Sequence, residues 1–302
     1  MSDEGTRQDV VPPDYAAGAG LPWWAKVASK LAIAALRVPP ALLRRAGVNR
    51  HSFIAESESR VLHEPCTRAG EFANRQGRPP RGVLELGPGR LVVRAPAYAA
   101  LGCAPVWFAD VEDDAPEDPA AYARVAELAR GIGLPAPVLE GLPNKAAVLA
   151  ACGARQLIGG TEVLAAIPDS SVELIVSDVV LEHVRRDALP GLLAELRRVA
   201  APNCLGVHAV DFHDHVGGAL NTLRFPPGFW EGPLVARSGL YVNRMGLSEI
   251  RAAFAQAGFA TRLRDIRRWP ASPPGAGAAH PSLSRRAEDD LIAFARIEAL
   301  PV

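Results

Sequence analysis

The stretch that decides the fold is VLELGPGR, at residues 83–90. An apolar run carries a single acidic residue, Glu85, and ends at two glycines, Gly87 and Gly89, with Pro88 between them. Short apolar runs that alternate with amphipathic helices are typical of βαβ units. The stretch therefore predicts the first strand of a parallel sheet, followed by a turn whose backbone approaches a ligand closely.

Three ligands compete for this turn. A P-loop requires GxxxxGK[ST], and no lysine stands at the required place. A dinucleotide requires a small residue where Val92 stands, because helix and strand approach each other closely there. S-adenosylmethionine has no pyrophosphate, so its turn needs glycines only for close backbone approach. The turn favours S-adenosylmethionine, and a nicotinamide-dependent oxidoreductase stays an alternative.

Two carboxylates support that cofactor. Glu85 precedes the turn directly and can accept a hydrogen bond from the cationic amino group of the methionine moiety. Asp110 lies 21 residues beyond Gly89, at the end of the second predicted strand, where a carboxylate can accept hydrogen bonds from both ribose hydroxyls. The predicted cofactor site comprises Glu85, Gly87, Pro88, Gly89, Asp110, Val111 and Ser177.

The composition excludes several functions. The 302 residues have a formal net charge of zero, so no bulk field attracts nucleic acid. The four cysteines are widely spread and show no CxxC spacing, which predicts free thiols in a cytoplasmic protein. Residues 1–20 are polar and show no secretory signal pattern.

The region before the glycine turn differs from the rest of the chain. The sequence pattern predicts disorder over residues 1–20 and a helical lid over residues 21–79. Residues 15–55 contain six basic residues and no acidic one. One interpretation is a helix that makes weak contact with an anionic membrane surface. The other, which we favour, is a helix packed on its own domain.

Residues 80–302 predict one α/β domain. Strand patterns alternate with helix patterns, which indicates a doubly wound, Rossmann-like, seven-stranded sheet with a helical N-terminal extension. The last strand follows a long loop, which suits an antiparallel strand inserted into the sheet. The predicted strands lie at 82–87, 105–110, 155–160, 172–178, 204–212, 259–266 and 290–297, and the clearest helices at 119–130, 188–199 and within 246–259. In the last of these helices, Ser248 is predicted to cap the start and Gly258 to end it.

With these residues assigned, the chain resembles the class I S-adenosylmethionine-dependent methyltransferases over residues 80–300. The resemblance rests on VLELGPG (83–89), WFADVE (107–112), IPDSSVELIVSDVVLEHV (167–184) and LLAELRRVAAPNCLGVHAVDF (192–212). Residues 208–232 and 238–250 are similar to a narrower group associated with bacterial glycan and related biosynthesis. The resemblance implies methyl transfer from S-adenosylmethionine to a small-molecule acceptor.

The chain departs from the family pattern at three places. Leu91 stands where the family has a third glycine, APNC (201–204) replaces a Gly-Gly turn, and Glu173 replaces an aspartate of the fourth strand. These departures leave one alternative open, a non-catalytic protein that binds S-adenosylmethionine as a partner or regulatory module.

Candidate catalytic residues follow the carboxyl ends of the predicted strands, where ligands bind in open α/β sheets. Histidine is the natural base near neutral pH for an acceptor hydroxyl. The candidates are His215, oriented by Asp211, or else His183. A metal site in this segment is a weaker alternative, because sequence proximity does not converge ligands on one point. His208 lies in mid-strand and is predicted to be a hydrogen-bonded core residue.

Residues 213–245 predict an insertion that covers the acceptor, because connections of this length are usually lids or binding segments. Its polar and aromatic residues suit a hydroxyl-rich or anionic acceptor. The predicted substrate-binding residues are Asp214, Asn221, Arg224, Trp230, Tyr241, Asn243 and Arg244. The predicted reaction is O-methylation of a sugar or natural-product hydroxyl.

Overall fold

A computed structural model describes residues 7–10, 22–37, 57–283 and 285–302 of the chain. Its centre is one sheet of eight strands in the order β1-β7-β8-β6-β5-β2-β3-β4. The strands are β1 (Arg7–Val10), β2 (Val83–Leu86), β3 (Val106–Asp110), β4 (Ala154–Ile158), β5 (Val172–Asp178), β6 (Ala200–Asp211), β7 (Phe259–Arg268) and β8 (Ile292–Pro301).

The seven strands β2–β8 confirm the predicted fold class. Strands β2–β6 are parallel, and β8 runs antiparallel between β6 and β7. The short strand β1 was not predicted. The expectation of disorder over residues 1–20 is wrong for Arg7–Val10, whose backbone pairs in parallel with β7. The other residues of 1–20 lie outside the described part of the chain.

Helices cover both faces of the sheet. They are α1 (Trp23–Ala35), α2 (Glu64–Gln76), α3 (Ala95–Ala100), α4 (Pro119–Gly131), α5 (Lys145–Ala151), α6 (Leu189–Val199), α7 (Pro227–Trp230), α8 (Pro233–Ala236) and α9 (Leu247–Gln256). Because successive strand side chains point to opposite faces, Val83 packs towards α2–α5 while Leu84 packs towards α6 and α9. All four residues of β2 are buried, as expected for a parallel strand covered on both sides.

Two parts of the predicted helical lid fall within the described residues, α1 and α2, whereas residues 38–56 lie outside them. Helix α1 packs on the 213–245 insertion through Val27, which is buried with Trp230 and Leu240. The side chain of Trp24 on α1 is exposed. Among the helices of the described ranges, none is both long and apolar enough to cross a membrane.

The start of α9 corrects one local prediction. Gly246, not Ser248, is the residue that caps the helix, and its N–H donates to Glu249 Oε2 at 2.9 Å. The Ser248 hydroxyl donates instead to Asp289. Gly258 follows the helix with a φ of 86°, as predicted for a glycine that ends it.

Candidate functional site

The glycine turn lies at the carboxyl end of β2, between the ends of β3 and β5. Gly87 and Gly89 have φ angles of 60° and 54°, a region that side chains rarely adopt. A Cβ on Gly87 would lie 2.6 Å from Val180 Cγ2, whereas a Cβ on Gly89 would meet nothing within 4 Å. The turn is therefore closed against Val180 and open above Gly89.

Asp110 links the end of β3 to this turn. Its Oδ2 accepts a hydrogen bond from Gly89 N at 2.8 Å, and its Oδ1 accepts one from Val111 N at 2.7 Å. Val111 is 72% exposed and Ile158, which pairs with Asp110 across β3 and β4, is 42% exposed. Two apolar side chains therefore lie uncovered beside the half-buried carboxylate.

Glu85 is buried, whereas the sequence predicted that its carboxylate would face the cofactor. Its side chain is 3% exposed, it forms an ion pair with Arg94, and it accepts a hydrogen bond from Tyr98 Oη at 3.0 Å. Burial raises the pKa of Glu85, and the charge of Arg94 opposes that shift. Because the side chain is buried and both carboxylate oxygens are bonded within the domain, direct binding of the cofactor's amino group by Glu85 is not supported.

A second carboxylate, that of Asp178, lies partly exposed at this edge. Leu86 pairs with Ser177, so Asp178 at the end of β5 is level with Gly87. Asp178 Oδ1 accepts a hydrogen bond from Arg68 Nη2 at 3.1 Å. Arg68 lies on α2, is 3% exposed, and its Nη1 has no hydrogen-bond partner. No motif marks Arg68 or Asp178, because their proximity depends on how α2 packs across the sheet.

Ser177 and His208 belong to the core. Ser177 is fully buried and its hydroxyl lies 2.8 Å from His208 Nδ1, so its predicted contact with a cofactor is not supported. His208 packs against Phe254 with ring centroids 5.0 Å apart. The pKa of His208 is lowered to about 3, chiefly by burial and also by the nearby charge of Arg68. The predicted core role of His208 is confirmed.

His183, His213 and His215 lie beyond the ends of β5 and β6, where they make two separate contacts. Asp211 contacts His213, through both the ring Nδ1 and the backbone N–H, which corrects the predicted pairing of Asp211 with His215. His215 instead stacks on His183, with Nε2 atoms 3.3 Å apart. His183 Nδ1 lies 3.0 Å from the carbonyl oxygen of Tyr241.

The electrostatics of His215 follow from its surroundings. His215 is exposed at the surface, and its pKa is lowered to about 4, chiefly by desolvation from the protein around the ring and also by the charge of His183. Asp211 raises that pKa, and Lys30 of α1 lowers it. His215 is therefore neutral at physiological pH, with an imidazole able to accept a proton.

Glu182, which precedes His183, is a residue whose buried position the sequence did not reveal. Its Oε1 accepts a hydrogen bond from Asp211 N at 3.0 Å, while its Oε2 is buried and unpartnered. Burial raises the pKa of Glu182 well above its usual range. It lines a small cavity together with Arg244, large enough for about one water molecule. A water there would satisfy Glu182 Oε2.

Most of the predicted substrate-binding residues hold the insertion together instead. Asp214 accepts hydrogen bonds from backbone amides within its own loop, including Gly217 N at 2.8 Å. Asn243 Nδ2 donates to Leu181 O at 2.8 Å and Arg244 Nη1 donates to Phe225 O at 2.8 Å. The predicted acceptor contacts are therefore not supported for the buried residues Asp214, Asn221, Trp230, Tyr241, Asn243 and Arg244.

Arg224 differs from these residues because it is exposed. Its guanidinium carbon lies 5.4 Å from the ring centroid of Trp23 on α1. It is the predicted substrate-binding residue that remains accessible to a ligand. The four cysteines are free, and within the described ranges no cluster of three or more His, Cys, Asp or Glu residues could hold a metal ion.

No protein-family model matches the chain, and no curated protein matches it in sequence. Solved structures similar to it include the YcgJ protein from Bacillus subtilis, with 15% identity, 79% of this chain and 98% of that one covered, and a TM-score of 0.44. A SAM-dependent methyltransferase from Methanosarcina mazei has 17% identity, with 74% and 93% covered and a TM-score of 0.42.

A further similar structure is 1,6-didemethyltoxoflavin-N1-methyltransferase from Burkholderia thailandensis, solved with 1,6-didemethyltoxoflavin and S-adenosylhomocysteine. It has 15% identity, with 79% of this chain and 78% of that one covered and a TM-score of 0.40. The observed sheet order is the fold that the resemblance to class I methyltransferases implies. Likenesses this distant say nothing about the acceptor of this chain.

Proposed function

We propose that the chain transfers the methyl group of S-adenosylmethionine to the hydroxyl of a small-molecule acceptor. The observation that carries the proposal is the contact of Asp110 with Gly89 N at the open side of the glycine turn. The Gly89 N–H, which a pyrophosphate would need as a hydrogen-bond donor, already donates to the carboxylate of Asp110. The turn also continues into a 3₁₀ helix, Gly89–Arg94, rather than into the N-terminus of a long α-helix. Both features argue against a dinucleotide.

The residues at this edge fit the parts of S-adenosylmethionine. Asp110 suits the ribose hydroxyls, and the exposed side chains of Val111 and Ile158 suit the faces of an adenine ring. Asp178, whose side chain is partly exposed, suits the ammonium group of the methionine moiety. When bound, the cofactor supplies a methyl group on a sulfonium, which is an excellent leaving group.

The histidine pair supplies the proton acceptor for the hydroxyl. A carbonyl oxygen only accepts, so His183 Nδ1 carries the proton in its contact with Tyr241 O. Nε2 of neutral His183 is then an acceptor, and Nε2–H of His215 donates to it. This leaves the lone pair of His215 on Nδ1, which would accept the proton of the acceptor hydroxyl.

The first test is calorimetric titration with S-adenosylhomocysteine. We expect the wild type to bind and Asp110→Ala to lose binding by at least tenfold. Asp113→Ala is the matched control, because Asp113 is an exposed carboxylate three residues further on that pairs with Lys145. The absence of binding by the wild type, or preferential binding of NAD or NADP, would overturn the proposal.

The second candidate function is a non-catalytic module that binds the same cofactor. The observation that favours it is Glu85, whose carboxylate is engaged by Arg94 and so is withdrawn from the cofactor. It predicts S-adenosylhomocysteine binding with no methyl transfer to any acceptor. Turnover of a hydroxyl acceptor that is reduced in His215→Asn excludes this candidate.

A further inference from the structure

Lys30 brings a cation from α1 to the histidine pair. Its Nζ donates to the carbonyl oxygen of Gly239 in the insertion, at 3.3 Å, and the side chain is half-buried. No carboxylate of the described ranges forms an ion pair with Lys30. Burial lowers the pKa of Lys30, and the charge of Lys26 lowers it further. An ammonium group that is partly desolvated and unpaired costs free energy unless a ligand compensates it.

Lys30 and His183 bind the same short strap of the insertion. Lys30 contacts the carbonyl of Gly239, and His183 contacts the carbonyl of Tyr241, two residues further on. Two residues of extended chain span roughly 7 Å. His215 lies against His183, and the charge of Lys30 acts on its pKa. The ammonium and the two imidazoles therefore surround one region of the surface.

The acidic groups near this region are engaged elsewhere. Asp211 pairs with His213, and Asp214 accepts hydrogen bonds from the backbone amides of its own loop. Glu231 accepts a hydrogen bond from Tyr241 Oη at 2.7 Å. Lys30 is thus left with a positive charge that these carboxylates do not neutralise, and the exposed guanidinium of Arg224 adds another positive charge beside α1.

We propose that the acceptor carries an anionic group, a carboxylate or a phosphate, and that Lys30 binds this group while the reacting hydroxyl lies at His215. The inference rests on the proposed function, which it deepens by assigning the class of acceptor. An anion is the partner that offsets the desolvation of an ammonium group. The same pairing fixes the orientation of the acceptor relative to the base.

The test uses the full chain and two small probes, sodium acetate and inorganic phosphate, at constant ionic strength. NMR spectra of lysine side-chain and histidine ring signals are recorded during each titration, with and without S-adenosylhomocysteine. We expect saturable shifts of the Lys30, His183 and His215 signals with at least one anion. The anion that saturates at the lower concentration identifies the carboxylate or the phosphate.

Three variants separate the role of Lys30 from general charge. In Lys30→Gln the saturable histidine shifts should disappear, and in Lys30→Arg they should persist. Lys26→Gln removes the same charge one helical turn away and should retain saturation within about threefold of the wild type. Responses that do not saturate with either anion, or that are the same in Lys30→Gln, overturn the inference. Cofactor binding is measured separately, so its failure would be distinguishable.

Discussion

The imidazoles of His183 and His215 are stacked, with ring centroids 4.9 Å apart and planes inclined by 14°. Their Nε2 atoms lie 3.3 Å apart, which is within hydrogen-bond distance, and the proposed role of His215 as base requires its Nε2–H to be the donor. The carbonyl oxygen of Tyr241 lies 3.0 Å from His183 Nδ1 and so orients the pair. The orientation of the two histidine rings therefore depends on the position of the 213–245 insertion over the end of β5.

The first prediction concerns protonation of this pair. In an NMR pH titration, the His215 ring should titrate with a midpoint near its pKa of about 4. In His183→Asn the midpoint should rise, because one of the groups that lower the pKa of His215 is removed. The rise should be partial, since desolvation is the larger cause. A wild-type midpoint at or above 6.5 would contradict the described surroundings of His215.

The same pair gives a kinetic prediction. With an acceptor that is turned over, His215→Asn should lower kcat by roughly 10²-fold or more, the usual contribution of a general base. The affinity for S-adenosylhomocysteine should not change. His213→Asn is the control, because His213 pairs with Asp211 and packs on Trp269 outside the stacked pair. Equal losses of kcat in His215→Asn and His213→Asn would show that the loop, not the base, is affected.

A third prediction contrasts the two glycines of the turn. Both have positive φ, so alanine at either position should cost about 1 kcal/mol of unfolding free energy from backbone strain alone. Gly87→Ala should cost more, because its Cβ would press on Val180. The Cβ of Gly89→Ala would clash with no neighbouring atom, but it would place a methyl group in the proposed cofactor site.

The measurements are urea unfolding and S-adenosylhomocysteine titration for each variant. We expect Gly87→Ala to be the less stable protein, while Gly89→Ala loses cofactor affinity with little further loss of stability. Unchanged affinity in Gly89→Ala would mean that the open side of the turn is not the cofactor site.

A fourth prediction concerns the buried ion pair of Glu85 and Arg94. Arg94→Met should lower the free energy of unfolding by roughly 3–5 kcal/mol, because it leaves a buried carboxylate without its cation. The double variant Glu85→Leu with Arg94→Met should lose less unfolding free energy than the two single variants lose in sum. Additive losses in urea unfolding would show that the two side chains are not energetically coupled.

The sheet could be predicted from the sequence because its central strands are apolar runs. β2 and β5 are buried on both faces, so their apolar runs predict strands without knowledge of the neighbouring strands. β1 could not be predicted, because RQDV has four residues and two charges. Its pairing with β7 depends on the tertiary position of the chain, which local patterns do not contain.

The candidate site was predictable only where backbone position decides it. Gly89 and Asp110 meet because parallel strands end at the same edge of the sheet. Glu85 and Arg94 are nine residues apart, and their contact depends on the course of the 3₁₀ helix between them. Residues such as Asn243 could not be assigned, since the donors that bind hydroxyl-rich ligands also bind backbone carbonyls.

The last prediction links the core histidine to acid stability. The pKa of His208 is about 3 in the folded chain, below its ordinary value of 6.5. Above pH 6.5 both folded and unfolded states hold it neutral, so it contributes no pH dependence. Between pH 6.5 and 3 only the unfolded state takes up the proton. The free energy of unfolding therefore falls by about 1.4 kcal/mol for each pH unit by which the pH decreases, through this group alone.

His208→Gln removes that titration while keeping a polar partner for Ser177. Urea unfolding at pH 7, 6 and 5 should show a lower stability at pH 7 and a shallower loss towards pH 5 than in the wild type. Phe254→Leu is the control, because it loosens the packing around His208 without removing an ionisable group. Its curve should run parallel to that of the wild type. If the His208→Gln curve is also parallel, the buried imidazole does not set the acid sensitivity of the fold.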